Sequence, residues 1–241
     1  MVRDNKDKTI KTAEPHLYYF EKHMMSSPTI AMDYLKKEVI NMGNLARENL
    51  NLALEGFVNF SDKDTEEILK REKELDYLSK EIPKIIVQLS NAEQLSLLDK
   101  RIIGSYYHVV TDFERIGDYA ENITEYTDTA IKENTHISEH AISEVKQMKK
   151  SVDTVYDISM DMFTNIKPEL NDLDRYEEEV DKEKEVMAYK HITRLREGRC
   201  TAEAGALYLN MSNDLERVAD HMCNIADSIK NFANKTKKQA E

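Results

Sequence analysis

An all-α chain of two tandem, pseudo-repeated three-helix bundles, six long helices in all, is predicted by three observations. Glycine (6) and proline (4) supply only ten of 241 residues, about a third of their usual share. Sandwiches, barrels and doubly wound α/β folds need a turn every 8–12 residues or so, and this chain lacks the turn formers. Apolar residues recur at steps of three and four, the period of a helix with one buried face. A unit of about 100 residues also occurs twice, as internal repeats do.

The elements follow in order. The stretch to about Phe20 is charged and aperiodic and reads as a tail. Ser27-Pro28 starts the first helix, with Ser as N-cap and Pro at the first helical position, where its missing N–H is not needed. Leu35, Val39, Met42, Ala46, Leu50, Ala53 and Phe57 then form one core-facing stripe. The chain breaks at Asn59-Phe60-Ser61-Asp62. Ser61 is the expected cap of a second helix, with Asp62 and Asp64 suiting the positive end of its dipole. That helix runs to about Leu89, with Pro83 an expected kink. Ser90 or Asn91 is the expected cap of a third helix, with Glu93 and Gln94 in its first turn and its body running to about Lys132. After Asn134-Thr135-His136, Ser138 caps a fourth helix reaching about Ile166. A fifth starts at Lys167-Pro168 and ends near Glu197-Gly198, and a sixth runs from Thr201 to about Lys235. Long helices with short connections pack as antiparallel bundles. The expected division is a tail or linker over 1–26, a first bundle over 27–135, a second over 136–235 and a short tail over 236–241.

Charge narrows the function. The net charge is −12, and lysines cluster only at Lys235, Lys237 and Lys238. Nucleic-acid binding draws most of its affinity from clustered Lys and Arg, so no nucleic-acid partner is expected. A membrane span needs about 20 apolar residues; the longest apolar run, Ile102 to Val110, is half that and contains His108. The N-terminus carries no apolar signal-peptide core. Cys200 and Cys223 form no CxxC and read as reduced thiols of a cytoplasmic protein.

The repeat carries the chemistry. Asp112 to Ile123 (DFERIGDYAENI) and Asp214 to Ile225 (DLERVADHMCNI) share Asp, Glu, Arg, Asp, Asn and Ile at equal offsets, 102 residues apart. On the preceding helix Glu72-Lys-Glu-Leu-Asp76 and Glu177-Glu-Glu-Val-Asp181 lie 105 apart. Glu-x-x-x-Asp therefore occurs as Glu72/Asp76, Glu114/Asp118, Glu177/Asp181 and Glu216/Asp220. Residues i and i+4 share a helix face, where like charges repel. One such pair is usually a solvated surface. Four pairs at matching places on consecutive antiparallel helices converge as two clusters of four carboxylates if their faces meet. Such clusters need protons or a cation, and oxygen donors favour hard cations such as magnesium, calcium, manganese or ferric iron. Asn122 and Asn224 continue the same face, either as carboxylate partners or as helix-to-helix bonds. Arg115 and Arg217 are expected to pair with Asp112 and Asp214.

At these residues, "FERIGDYAENI" and "DLERVADHMCNIADSI" with their upstream acids, the chain resembles the PhoU family of phosphate-transport regulators over roughly residues 28–235. The resemblance implies metal clusters, iron, zinc or similar, on the acid pairs: Glu72, Asp76, Glu114 and Asp118 in the first repeat, Glu177, Asp181, Glu216 and Asp220 in the second. It implies a non-enzymatic negative regulator of phosphate uptake and signalling that contacts a membrane phosphate transporter or a sensor kinase, with a homo-oligomer possible. One departure is that the residue after the motif Asp is Tyr119 in the first repeat and His221 in the second, where the family often has His. The entry segment "HLYYFEKHMMSSPTIAMDYLKKEVINMG" is similar to the approach to the PhoU-like C-terminal domain of bacterial sodium/phosphate cotransporters. The chain is thus expected to be cytoplasmic, peripheral to or fused to a transporter.

Two other readings compete. A metal-free helical adaptor would leave the acid pairs as mere surface. A ferritin-like di-iron enzyme needs Glu-x-x-His from two helices, whereas Glu133/His136 is the only such pair and falls in the break between repeats. HExxH, a phosphate-binding P-loop and GxSxG are absent, so no enzyme is expected.

Overall fold

The computed structural model describes residues 14–165 and 172–240. Six α-helices follow a 3-10 turn at Lys22–Ser26: α1 Pro28–Asn59, α2 Thr65–Ser90, α3 Leu97–Lys132, α4 Glu139–Asn165, α5 Leu173–Arg196 and α6 Ala202–Ala240. Among the described residues there is no strand. Helices α1, α2 and α3 pack on one another as one bundle, and α4, α5 and α6 as the second. The stripe from Leu35 to Phe57 is buried as its spacing requires.

The helix starts depart from expectation in physical detail. Ser27 precedes Pro28 at the first helical position, but its side chain makes no cap bond. Ser61 does not cap α2; its N–H closes the end of α1 by donating to the Gly56 carbonyl at 2.9 Å, with Phe60 left-handed between them (φ 49°). Helix α2 starts after Asp64, with Glu66 and Glu67 in its first turn, and runs through Pro83. Neither Ser90 nor Asn91 caps α3. Ser96 does, in a capping box with Asp99, because the chain first makes a turn in which Ala92 N–H bonds the Leu89 carbonyl at 3.0 Å. Ser138 caps α4 through Ala141 N–H at 3.3 Å, and Thr201 caps α6 through Ala204 N–H at 3.2 Å. The expected start of the fifth helix at Lys167-Pro168 lies outside the described residues.

The approach to α1 is not a loose tail over its described part. Tyr18, Tyr19 and Phe20 donate their backbone N–H groups to the carboxylate of Glu38 at 3.0, 2.7 and 3.1 Å. Tyr18 Oη donates to Glu74 Oε2 at 2.9 Å. Glu38 is fully buried and Phe20 nearly so. Three donors on one carboxylate satisfy a charge that would otherwise be too costly to bury.

The two bundles join through α3 against α6 and α1 against α4. Tyr156 Oη donates to the Gly43 carbonyl at 2.6 Å, and Lys36 Nζ to the Thr164 carbonyl at 2.8 Å. Within the second bundle α5 meets α6 where Gly205 faces the ring of His191; a Cβ on residue 205 would lie 2.0 Å from His191 Cε1. That ring is buried and would have to shift. Gly205→Ala is expected to destabilise the protein by about 1–3 kcal/mol despite the better helix former, read as a lower urea midpoint at unchanged slope.

Candidate metal centre

In the first bundle the acids of α2 and α3 face each other. Glu72 is buried, at 8% exposure, because α3 carries Gly117 opposite it. A Cβ on residue 117 would stand 2.7 Å from Glu72 Oε2 and 2.7 Å from Leu75 Cδ1. Glu72 Oε2 is shut from solvent and has no hydrogen-bond partner. Burial, then the charges of Asp118, Glu121, Asp76 and Glu114, push its pKa up from 4.5 to about 8. Half-buried Glu114 is raised too, first by burial and then by Asp118, with Arg115 opposing. The counter-charges come from the same helices. Lys80 Nζ lies 2.9 Å from exposed Asp76, and Arg115 Nη1 lies 2.9 Å from half-buried Asp118. The expected pairing of Arg115 with Asp112 does not form, because Arg115 turns the other way along α3, toward Asp118.

The second bundle brings its acids together more loosely. Half-buried Glu177 is raised by burial, then by Asp181 and Asp220. Exposed Asp220 is raised by burial, then by Glu216 and Asp181. The residue in place of Gly117 is Ala219, which carries the Cβ that would stand 2.7 Å from Glu72 Oε2 in the first bundle. Lys184 crosses from α5 to bond Glu216 at 2.7 Å. The first-repeat counterpart of Lys184 is Ser79, whose hydroxyl only donates to the Asp76 carbonyl at 3.0 Å. One site therefore has an orphaned buried carboxylate oxygen and, among the described residues, no ion pair across the two helices, Lys80 bonding Asp76 on its own helix and acting on Glu114 only from a distance, while the other makes such a pair. The first site's donor set, anionic oxygens with an unpartnered acceptor at its base, fits a hard cation. Among the described residues no three such donors are already gathered about one point.

Behind the acids, α3 and α6 meet along a polar seam. His221 Nδ1 lies 2.8 Å from Asp112 Oδ1. Tyr126 Oη donates to Asp214 Oδ2 at 2.8 Å, and Asn122 Nδ2 to the same oxygen at 3.5 Å. Asn122 thus bonds helix to helix rather than serving the acid pair. The rings of Tyr119 and His221 stand 5.8 Å apart, and the proximity of Tyr119 raises the pKa of the exposed Arg217 guanidinium. Reading by spacing alone missed Glu121, Lys184 and this seam. Two differences between the aligned repeats, Gly117 against Ala219 and Ser79 against Lys184, were the visible signals.

Tandem three-helix bundles, each with two Glu-x-x-x-Asp pairs set face to face, define a class of all-helical, acid-bearing scaffolds. The chain belongs to the PhoU family: the PhoU domain matches residues 39–127 and 145–229. It is similar to the phosphate-specific transport system accessory protein PhoU homolog 1 of Thermotoga maritima, 27% identical over 201 residues, covering 81% of this chain and 84% of that protein. The PhoU homolog of Synechocystis sp. is 24% identical over 215 residues, covering 89% and 91%. The crystal structure of PhoU from Pseudomonas aeruginosa shares the fold at a TM-score of 0.75 and 21% identity, over 84% of this chain and 97% of that one. So does that from Streptococcus pneumoniae, at 0.76 and 19%, over 86% and 97%. No helix among the described residues is long and apolar enough to cross a membrane.

Proposed function

We propose that this chain is a metal-binding PhoU-type regulator of phosphate transport and phosphate signalling, acting without catalysis by contact with a membrane transporter or its sensor kinase. It works from the cytoplasm, peripheral to or joined to that transporter. Family membership supports the link to phosphate transport. The observation that carries the metal reading is Glu72: a buried, unpartnered carboxylate among Asp76, Glu114 and Asp118. Those four residues would hold a cation, with Glu177, Asp181, Glu216 and Asp220 as the second and weaker set. A bound cation would reverse the sign of a local patch and so gate docking of a partner. The self-neutralised second site favours a narrower version of the adaptor reading, in which that half contributes surface rather than metal.

Titration of metal-free protein with manganese(II) and iron(II), read by calorimetry and by elemental analysis after gel filtration, tests this. Glu72→Gln with Asp118→Asn should remove most of the bound metal, and Glu177→Gln with Asp220→Asn little. Lys184→Ser should raise affinity at the second site by about tenfold, the effect of removing one competing charge pair worth about 1–1.5 kcal/mol. Wild-type protein that binds neither metal would leave the metal-free adaptor as the reading.

A further inference from the structure

We infer that the groove between α4 and α5 docks an extended, acidic segment of a partner protein. Val39 of α1 and Val145 of α4 are buried at the same register, and each is preceded by a glutamate, Glu38 and Glu144. In the first bundle the groove beside Glu38 is covered by the chain itself: residues 18–20 lie across it in hydrogen bond with Glu38, and Tyr18 reaches Glu74 on α2. In the second bundle no described segment lies there, and a cavity of about 570 Å³ stays open between the two helices.

The walls say what would fill it. At the positions equivalent to Tyr77 and to buried Leu78 and Ile85 of α2, α5 presents Lys182, Glu183 and Lys190. Helix α4 adds Lys146 and Lys150. In a chain of net charge −12 this is a basic strip. Lys182 is engaged by Glu178 at 3.1 Å and Lys190 by Glu144 at 3.2 Å, while exposed Lys146 and Lys150 have no acidic partner among the described residues. Val186, half exposed, and buried Met187 give the groove an apolar strip. Glu183 is turned inward, its Oε1 accepting from Gln147 Nε2 at 3.5 Å and its Oε2 shut from solvent, so it leaves the lysines to set the charge of the open groove. Two unpaired lysines for carboxylates and an apolar strip for one side chain, in a groove whose counterpart is covered by an extended segment, together match an extended acidic peptide that carries an aliphatic or aromatic residue. This inference stands independently of the metal reading.

The probe is a fluorescein-labelled peptide, Glu-Asp-Ile-Phe-Glu-Asp-Glu-Leu-Asp, followed by anisotropy against the full chain. Its isostere with Gln and Asn for every acid serves as the first control. Lys146→Glu with Lys150→Glu should weaken binding by at least about tenfold, whereas Lys70→Glu with Lys84→Glu, an equal charge change on the first bundle, should weaken it less than about twofold. Binding should also fall with added sodium chloride. Far-UV circular dichroism and melting establish that these surface variants are folded. The inference is overturned if the acidic peptide does not bind at up to about 1 mM (a Kd no tighter than that is weaker than about −4 kcal/mol), or if the neutral peptide binds equally. It is also overturned if both double variants weaken binding alike, or if inorganic phosphate displaces the peptide where chloride of equal ionic strength does not. Sedimentation that shows wild-type chains self-associating and Lys146→Glu/Lys150→Glu chains monomeric would assign the groove to a second copy, and overturns it as well.

Discussion

Glu72→Gln in metal-free protein should raise the melting temperature at pH 9 by roughly 5–10 °C, with little change at pH 5. A glutamate in the unfolded chain ionises near 4.5, whereas Glu72 in the folded protein keeps its proton to about pH 8. Between those values the folded chain holds more protons than the unfolded one, so stability declines as pH rises through that window. Allowing for nearby solvent and for Lys80 and Arg115, the loss is on the order of 2–4 kcal/mol above the window. Glutamine occupies the same space without the charge and removes that slope. In metal-loaded protein the sign reverses: the variant loses a ligand, so it binds less metal and melts lower. Melting curves at several pH values, with chelator and with manganese(II), check both halves. A wild-type protein whose stability is flat from pH 5 to 9 after chelation would refute the assignment of Glu72 as a buried, repelled carboxylate.

The second large effect lies away from the acid clusters. Glu144→Leu should destabilise the chain by about 3–5 kcal/mol, because it leaves the buried guanidinium of Arg194 without its counter-charge. Arg194 Nη1 holds both oxygens of Glu144 at 3.1 and 2.9 Å, Tyr208 Oη bonds one of them at 2.5 Å, and Lys190 Nζ lies at 3.2 Å. Arg194 Nη2 is already buried without a partner, and the Tyr208 ring, 5.1 Å from the guanidinium carbon, is too weak a partner to replace the carboxylate. Burial alone would raise the Glu144 pKa, but the bonds from Tyr208 and Arg194 outweigh it and hold the carboxyl below its usual value. Its contribution is therefore complete above the unfolded-state pKa and is lost as pH falls through the lowered one. Replacing both Glu144 and Arg194 by methionine should recover more than half of the loss, since apolar packing substitutes well for a buried ion pair. Urea midpoints for the single and double variants decide the matter.

The bundle architecture was legible because its signal is periodic. Leu35 to Phe57 repeat at helical steps over more than 20 residues, and the two acid motifs return at nearly constant offset. Helix starts were less legible where several cap residues compete. Ser90, Asn91 and Ser96 all precede the same apolar run, and only Ser96 has an acid three residues on that faces back to it. Glu38 was illegible: it interrupts an apolar stripe and reads as surface, and what buries it is backbone 18–20 residues away. The asymmetry of the acid clusters lay in between. Gly117 against Ala219 and Ser79 against Lys184 can be read off the aligned repeats, but which carboxylate each change admits or neutralises depends on helix packing.

Along the α3–α6 seam the halves exchange roles. Asp112 of the first meets His221 of the second, and Asp214 of the second meets Tyr126 and Asn122 of the first. A two-fold homodimer would pair equivalent positions at both ends, since one patch meets itself, whereas here Asp214 is bonded by Tyr126 and Asn122, whose counterparts are Ser228 and Asn224 rather than His221. In such a dimer a glycine-to-alanine change would alter both ends at once, and a lysine set across one glutamate would be set across its twin. Covalent fusion lifts that constraint. Each half can drift without its copy following, which is how Gly117 with buried Glu72 stands at one end while Ala219 with the Lys184–Glu216 pair stands at the other. A duplicated scaffold of this kind can give its two ends different chemistry.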